Sequence, residues 1–289
     1  MRLAGIIGHP VAHSLSPVFQ GAAFKECGLD VRYELWDTPL DELPGRVLSL
    51  RGEQYLGANV TIPHKEAVIP LLDELGGQSA RVGAVNTIVN RSGRLFGFNT
   101  DGPGFVAALR NEAYFDPAGK SFLLVGAGGG ARGIAFALAE ARALRIEISN
   151  RSVDRAEKLA RDVAAAGAEV VVSRPGASLE RFDCVVNCTS LGMHGGPGAA
   201  ATPCDPSGMR AGSLAVDIVY TPEETPFLAA ARAAGLKTLP GLPMLIYQGA
   251  LAFELWTGVH APVEVMFEAA RKALAARAGA QARPGGEPA

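Results

Sequence analysis

The chain has 289 residues, of which 48% are hydrophobic and 19% charged, so it is long enough to bury the cores of two ordinary domains. Its formal net charge is −2. Proteins that bind nucleic acids or anionic membranes in general carry a strong positive charge, so this class of protein is excluded. No stretch approaches the roughly 20 apolar residues that cross a bilayer, and the first residues lack the apolar run of a secretory signal. We therefore expect a cytoplasmic protein with a small-molecule partner and no nucleic-acid or membrane partner.

Strands and helices alternate along the first hundred residues. Patterns of apolar residues predict strands at 3–8, 31–38 and 55–61, with a helix at 16–28 that Gly28 closes and a second helix at 64–75. Segments 84–90 and 93–99 then form a hairpin around the Ser92–Gly93 turn.

The same alternation continues to the end of the chain. A helix from Gly102 precedes a strand at 121–125, a helix from about Gly130, a strand at 145–149 and a helix at 153–167 capped by Ser152. The remaining expected elements are strands at 169–173, 183–189 and 214–220, helices at 243–258 and 262–279, and a disordered polar tail at 281–289.

This order predicts an α/β protein in two parts, because parallel strands need crossover helices that cover the faces of their sheet. The first expected domain is discontinuous and comprises 1–101 plus 237–280, since the last two helices return to it. The second expected domain, 102–236, is of the Rossmann type. The four cysteines form no CxxC pair and lack histidine at metal-ligand spacing, so we expect no metal site.

A glycine-rich turn, "GAGGGARG", lies between a predicted strand and a predicted helix. Gly126, Gly128 and Ala131 fit the dinucleotide pattern G-x-G-x-x-[GA], in which glycines let phosphate approach the backbone at a helix N-terminus. An Asp or Glu usually follows about 20 residues later to bind the adenosine ribose. Arg151 and Arg155 occupy that region instead, and a guanidinium suits a 2′-phosphate. The pattern predicts NADP(H) rather than NAD.

Polar residues follow the predicted strands of the first part. Lys65, after the strand at 55–61, and Asp101, after the hairpin, are candidates for an acid-base pair acting on a carbonyl or hydroxyl group. Taken singly, a lysine is more often a solvated surface charge, and an aspartate before glycine is more often a turn residue.

The chain resembles the shikimate dehydrogenase family, whose members reduce 3-dehydroshikimate with NADPH, because seven of its motifs occur in the order expected of that family. The motifs extend over nearly the whole chain and are "VAHSLSP", "GANVTIPHK", "VGAVNT", "GFNTDG", "GAGGGARG", "NRSVDR" and "GLPMLIYQGALAFELW". The resemblance implies the reversible, NADPH-dependent reduction of 3-dehydroshikimate to shikimate, a step of chorismate and aromatic amino-acid biosynthesis. The expected oligomeric state is a monomer or a homodimer.

The resemblance also implies roles for individual residues. Lys65 and Asp101 match the catalytic pair, and Ser14 and Ser16 match the serines that bind the substrate carboxylate. The other implied substrate residues are Thr61, Asn86, Tyr220 and Gln248. The implied cofactor residues are Gly126, Ala127, Gly128, Gly129, Gly130, Ala131, Asn150, Arg151, Ser152, Arg155, Thr189, Val219, Gly241 and Met244. His64, beside Lys65, is expected to flank the site without taking part in catalysis.

Two other functions stay open. A quinate or aminoshikimate dehydrogenase would share the scaffold, although the arginines argue against an enzyme that prefers NAD. A catalytically silent NADP-binding sensor would keep the fold, although Lys65 and Asp101 argue against it.

Overall fold

The computed structural model describes residues 1–165, 167–196 and 198–281, which form two compact units. The first unit comprises Met1–Glu74, Thr87–Phe96 and the chain from Gly249 onward, and the second comprises Leu75–Asn86 and Gly97–Gln248. Asp101 and residues 237–248 thus group with the second unit, whereas the sequence placed them in the first. The predicted domain boundaries stay a prediction. Of the tail predicted at 281–289, residues 282–289 lie outside the described residues, and Gln281 ends the last helix.

Strands and helices alternate as the sequence predicted, with differences at a few elements. The strands are β1 (Arg2–Gly8), β2 (Val31–Asp37), β3 (Tyr55–Val60), β4 (Glu74–Leu75), β5 (Thr87–Arg91), β6 (Arg94–Phe98), β7 (Ser121–Val125), β8 (Arg145–Ser149), β9 (Val170–Val172), β10 (Cys184–Asn187), β11 (Leu214–Asp217) and β12 (Lys237–Leu239). The α-helices are α1 (Ser16–Glu26), α2 (Leu43–Ser49), α3 (Ser79–Val82), α4 (Asp101–Glu112), α5 (Gly129–Glu140), α6 (Val153–Ala164), α7 (Pro226–Ala233), α8 (Gly241–Thr257) and α9 (Val263–Gln281). Among the described residues, no helix is both long and apolar enough to cross a membrane.

The first sheet has the strand order β2-β1-β3-β5-β6-β4. Strand β1 pairs in parallel with β2 and β3, and β3 pairs antiparallel with β5. The predicted hairpin between β5 and β6 is confirmed, with Ser92 and Gly93 at φ 53° and 85°. Both residues of a type I′ turn need positive φ, which glycine adopts without strain.

The last two helices return to the first unit, as predicted. Helix α1 packs against α9, and the Gln20 side-chain amide donates a hydrogen bond to the Gly249 carbonyl at 2.9 Å. The Trp256 indole donates to the Ile88 carbonyl on β5 at 2.9 Å. The C-terminal segment is therefore fixed to both the helical layer and the sheet of this unit.

The second sheet has the order β12-β11-β10-β7-β8-β9, and its described pairings are all parallel. This is the strand order of a dinucleotide-binding Rossmann fold, with the order reversing beside its first strand, β7. The predicted α/β class with a Rossmann-type second part is confirmed. Ligands of such sheets bind outside the carboxyl ends of the strands near this reversal.

The predicted helix at 64–75 is wrong. The segment consists of turns followed by a short 3₁₀ helix at Ile69–Leu71 and then β4. The Val68 N–H donates to the His64 carbonyl, which is one hydrogen bond of an α-helix. Pro70 ends this pattern, because proline has no backbone N–H and its ring clashes with the preceding helical turn. The residues around Lys65 are therefore held by a turn.

Candidate functional site

The glycine-rich turn joins the carboxyl end of β7 to the N-terminus of α5. Gly126 has φ 119°, and a Cβ there would lie 2.9 Å from the Cys188 carbonyl oxygen, so only glycine fits. Gly128 precedes the first helical residue, Gly129, and the space around its missing Cβ is open. The unpaired N–H groups of the first helical turn and this open approach suit a pyrophosphate. The residues present therefore fit the predicted dinucleotide.

Packing behind the turn holds the start of α5 against the sheet. Ala131 is fully buried, and a Cβ on Gly130 would lie 3.3 Å from Ile218. These small residues let the helix approach β11 and the segment after it. Ala127 lies between Gly126 and Gly128 and packs against the core of the second unit.

The segment after β8 presents two arginines to solvent. Arg151 and Arg155 are exposed, and neither forms an ion pair within the described part of the chain. The Asn150 side-chain amide donates to the Ser152 carbonyl at 2.9 Å, which stabilises the turn. Ser152 occupies the N-cap position of α6 as predicted, but its side chain forms no capping hydrogen bond. Both guanidinium groups thus remain available to an anion.

A buried polar network joins the ends of β10 and β11. The Asn187 amide donates to Asp217 at 3.0 Å, and Asp217 also accepts from Val219 N at 2.9 Å and Thr225 Oγ1 at 2.7 Å. Thr189 Oγ1 donates to Asn187 Oδ1 at 2.6 Å. Burial raises the pKa of the fully enclosed Asp217 carboxyl above its usual value. The network holds the predicted cofactor residues Thr189 and Val219.

Sequence reasoning did not assign a role to Asn187, Asp217 or Thr225. A local signal exists, because Asn187 and Asp217 each end a run of buried strand residues, where polar side chains often face a ligand crevice. Thr225 has no such signal, since its bond to Asp217 depends on how the following loop folds.

The start of α8 is placed by the same segment. A Cβ on Gly241 would lie 2.5 Å from the Ile218 carbonyl oxygen, and Gly241 N–H donates to the Val219 carbonyl at 3.2 Å. Met244, one turn further along α8, packs against the core of the second unit. Tyr220 follows Val219 and is half-buried.

Asp101, Asn86 and Gln248 form a buried cluster in the second unit. The Asn86 amide donates to Asp101 Oδ1 at 2.8 Å, to Thr100 Oγ1 at 2.9 Å and to Gln248 Oε1 at 3.2 Å. Asp101 is 5% exposed, Asn86 2% and Gln248 9%. Asp101 opens α4, where the N-terminal partial charge favours a carboxylate. The structure thus brings together three predicted site residues that are far apart in sequence.

Two glycines set the approach of α4 to α5. A Cβ on Gly102 would lie 2.4 Å from the Gly133 carbonyl oxygen, and a Cβ on Gly133 would lie 3.0 Å from Asn99 Oδ1 and 3.4 Å from Asp101 Cβ. Helix α5, which begins at the nucleotide turn, is therefore in close contact with the segment that carries Asp101.

The predicted carboxylate-binding serines lie in the first unit. Ser14 Oγ accepts from the Ser16 backbone N–H at 3.1 Å, and its hydroxyl hydrogen has no acceptor within the part of the chain that the structure describes. Ser16 is 2% exposed and is the first residue of α1.

Tyr33 belongs to a chain of buried hydrogen bonds in the same unit. It donates its single hydroxyl hydrogen to Asn59 Oδ1 at 2.7 Å. Asn59 donates in turn to Thr87 Oγ1 at 3.2 Å. Burial raises the pKa of Tyr33 well above its usual value, which keeps the phenol protonated. Tyr33 and Thr87 were not predicted, because the contact depends on strand order.

The turn after β3 carries Thr61 and Lys65, both half-buried. His64 between them is fully buried, and its Nε2 lies 2.6 Å from the Thr38 carbonyl oxygen, which can only accept. His64 therefore carries a proton on Nε2 and ties the turn to the end of β2. This contact agrees with the expected flanking role, which stays a prediction. Within the described ranges, no group of three His, Cys, Asp or Glu residues is placed to hold a metal ion.

Comparison with known proteins covers nearly the whole chain. Family models match at residues 6–88 (shikimate dehydrogenase substrate binding domain), 109–194 (shikimate / quinate 5-dehydrogenase) and 241–271 (shikimate 5′-dehydrogenase C-terminal domain). The shikimate dehydrogenase (NADP(+)) of Moorella thermoacetica is 47% identical over 286 residues, covering 97% of this chain and 96% of that protein. The protein of the same name from Methanopyrus kandleri is 46% identical over 275 residues, covering 93% and 94%.

A solved structure agrees with these relatives. Shikimate 5-dehydrogenase from Thermus thermophilus, in complex with NADP(H) and shikimate, matches with a TM-score of 0.86 at 43% identity, covering 95% of this chain and 100% of that one. Both the sequence and the fold therefore match shikimate dehydrogenases over nearly the whole chain. The chain belongs to the shikimate dehydrogenase family.

Proposed function

We infer that the protein is an NADP-dependent oxidoreductase that reversibly reduces 3-dehydroshikimate to shikimate, a step towards chorismate and the aromatic amino acids. The buried Asn86–Asp101–Gln248 cluster carries this inference, because it brings together one position that the family resemblance assigns to catalysis and two that it assigns to substrate binding. Family membership over nearly the full length supports the same activity.

The reduction adds a hydride to the C3 carbonyl carbon and a proton to its oxygen. NADPH supplies the hydride when bound. We propose that Lys65 and Asp101 form the acid-base pair that protonates the oxygen as negative charge develops on it. Both residues act on one proton as a coupled pair, so the pair, rather than either residue alone, is the acid.

The remaining polar residues would orient the substrate. Ser14 and Ser16 bind the ring carboxylate, and the other proposed contacts to the substrate come from Thr61, Asn86, Tyr220 and Gln248. The Ser14 hydroxyl hydrogen has no acceptor within the described residues, so it can be donated to a carboxylate oxygen. Holding the ring at both ends supplies the orientation that the transfer needs.

Three parts of the second unit would hold the cofactor. The glycine turn and the first turn of α5 bind the pyrophosphate. The adenosine and its 2′-phosphate contact Asn150, Arg151, Ser152 and Arg155, and the nicotinamide is lined by Thr189, Val219, Gly241 and Met244. The proposal includes a cytoplasmic location, a monomeric or dimeric state, and no nucleic-acid or membrane partner.

A substrate and cofactor matrix tests the function. Purified protein is assayed with shikimate and with quinate, each with NADP and with NAD, by the absorbance of the reduced nicotinamide. We expect turnover to be fastest with shikimate and NADP. Faster turnover with quinate and NAD would favour a quinate dehydrogenase, and nucleotide binding without any turnover would favour a silent sensor.

Ser14→Ala should weaken shikimate binding. Loss of one hydrogen bond to a charged group costs about 1.5 to 3 kcal/mol, which corresponds to a roughly 10- to 150-fold higher KM. Steady-state kinetics with saturating NADP measures this. Ser49→Ala, at an exposed position on α2, is the control and should leave KM unchanged.

Shikimate binding that is unaffected by both Ser14→Ala and Ser16→Ala would place the carboxylate elsewhere.

Arg151→Ala should raise KM for NADP with little change for NAD, which has no 2′-phosphate. The expected increase is about 10- to 150-fold for one charged contact, and it should shrink at high salt because the site is exposed. Adding Asn150→Asp should shift preference further towards NAD, by offering the ribose an acceptor and repelling the phosphate. An equal loss with both cofactors would mean that these residues stabilise the turn and do not recognise the phosphate.

A further inference from the structure

Strand β9 places a third arginine beside the proposed 2′-phosphate site. Strands β8 and β9 are parallel, with Ile148 opposite Val172, and the Ser173 N–H continues the ladder by donating to the Ile148 carbonyl at 2.9 Å. Continuing this register by two residues from the Ile148–Val172 pair sets Arg174 opposite Asn150. Parallel neighbours lie about 4.8 Å apart, so both residues leave the same edge of the sheet side by side.

A tight turn fixes the backbone of Arg174. The Ala177 N–H donates to the Arg174 carbonyl at 3.2 Å, and Gly176 has φ 81°. Proline at the second position and glycine with positive φ at the third are the requirements of a type II turn, and Pro175 and Gly176 meet them. This turn therefore holds the Arg174 backbone at the carboxyl edge, at the start of the segment that joins β9 to β10.

The alternation of the two strands sets the face on which Arg174 lies. Ile148 and Val172 both pack into the core that the sheet shares with α5 and α6. Side chains two residues apart in a strand point to the same face. Continuing this alternation places Asn150 and Arg174 on the face of α5 and α6, which also carries the glycine turn and Arg155.

Arg174 is available to a ligand. Its side chain is exposed, and in the ranges covered by the structure it forms no ion pair or hydrogen bond through its guanidinium. Asp154 lies in the first turn of α6, where its charge opposes an incoming phosphate. An additional cation on the neighbouring strand would offset that repulsion.

We propose that Arg174 is a specificity-determining residue that binds the adenosine 2′-phosphate together with Arg151 and Arg155. The inference rests on the proposed function, since it needs the adenosine ribose to lie over the end of β8. Its chemistry is a guanidinium facing a phosphate dianion, which NAD lacks.

Calorimetry with cofactor fragments tests this without turnover. The probes are adenosine 2′,5′-bisphosphate and adenosine 5′-monophosphate, titrated into the full-length parent, Arg174→Ala, Arg174→Lys and Arg151→Ala. We expect Arg174→Ala to weaken the bisphosphate about 3- to 10-fold at low salt, a modest effect because the side chain is exposed, and to leave the monophosphate within about twofold. Arg174→Lys should recover part of the loss.

Arg161→Ala is the matched control, because Arg161 is an exposed arginine near the other end of α6. It should change neither affinity. If Arg151→Ala weakens the bisphosphate and Arg174→Ala does not, the inference about Arg174 fails and the proposed cofactor stands. If neither Arg151→Ala nor Arg174→Ala weakens binding of the bisphosphate more than binding of the monophosphate, the NADP assignment itself fails. Equal weakening of both probes by Arg174→Ala would also overturn the inference, because it would show a general effect on the fold.

Discussion

Lys65→Ala is expected to lower kcat by about 10² to 10⁴, the usual contribution of a positioned proton donor. Buried His64 ties the turn that carries Lys65 to the end of β2, and the substitution leaves this contact in place, so the local backbone should survive the change. NADP binding should be nearly intact, since the proposed cofactor residues belong to the second unit. Steady-state turnover and nucleotide titration measure the two effects separately.

Two further variants test the role of Lys65. Lys25→Ala removes an exposed lysine from α1 in the same unit and should leave kcat unchanged. Asp101→Asn should also reduce turnover, because it removes the charge of the partner while the Asn86 bond can be kept. Full turnover by Lys65→Ala would exclude the lysine as the acid.

Gly102→Ala is expected to destabilise the protein by about 1 to 3 kcal/mol or more, as overpacked cores are. The added Cβ would lie 2.4 Å from the Gly133 carbonyl oxygen and 2.8 Å from Ala137 Cβ, and the helix backbones cannot yield without moving. The displacement starts next to Asp101, so turnover should fall as well. Urea unfolding and steady-state kinetics measure the two losses.

Gly21→Ala is the matched control, since Gly21 lies inside α1 and nothing lies within 4 Å of its absent Cβ. Alanine should stabilise that helix by about 0.5 to 1 kcal/mol, the opposite sign. If Gly102→Ala unfolds like the parent, then α4 and α5 can separate at little cost, and the contact does not fix Asp101.

Local chemistry was enough for much of the fold and for the cofactor side. Three features depend on backbone conformations that few residue types adopt, so the local sequence predicts them. They are the turn at Ser92–Gly93, the end of the first helix at Gly28 and the glycine turn after β7. Arg151 and Arg155 could be assigned because they follow that turn at a characteristic spacing. The family resemblance, now confirmed, implied roles for Lys65 and Asp101 that spacing alone left ambiguous, and these roles stay predictions.

Other features depend on strand order and tertiary packing, which the local sequence does not predict. The apolar period at 64–75 indicated a helix, but Pro70 and the surrounding contacts made it a turn. The Tyr33–Asn59–Thr87 chain and the Asn187–Asp217–Thr225 network join separate elements. The ion pair of buried Glu147 with Arg181, 34 residues away, does the same. A buried polar group must find a partner, and which partner it finds depends on the strands that lie beside it. The sequence by itself therefore determined most of the elements and the glycine-rich turn, and it predicts the charge that would select NADP. Only the tertiary structure decided which buried groups hold the predicted site residues in place.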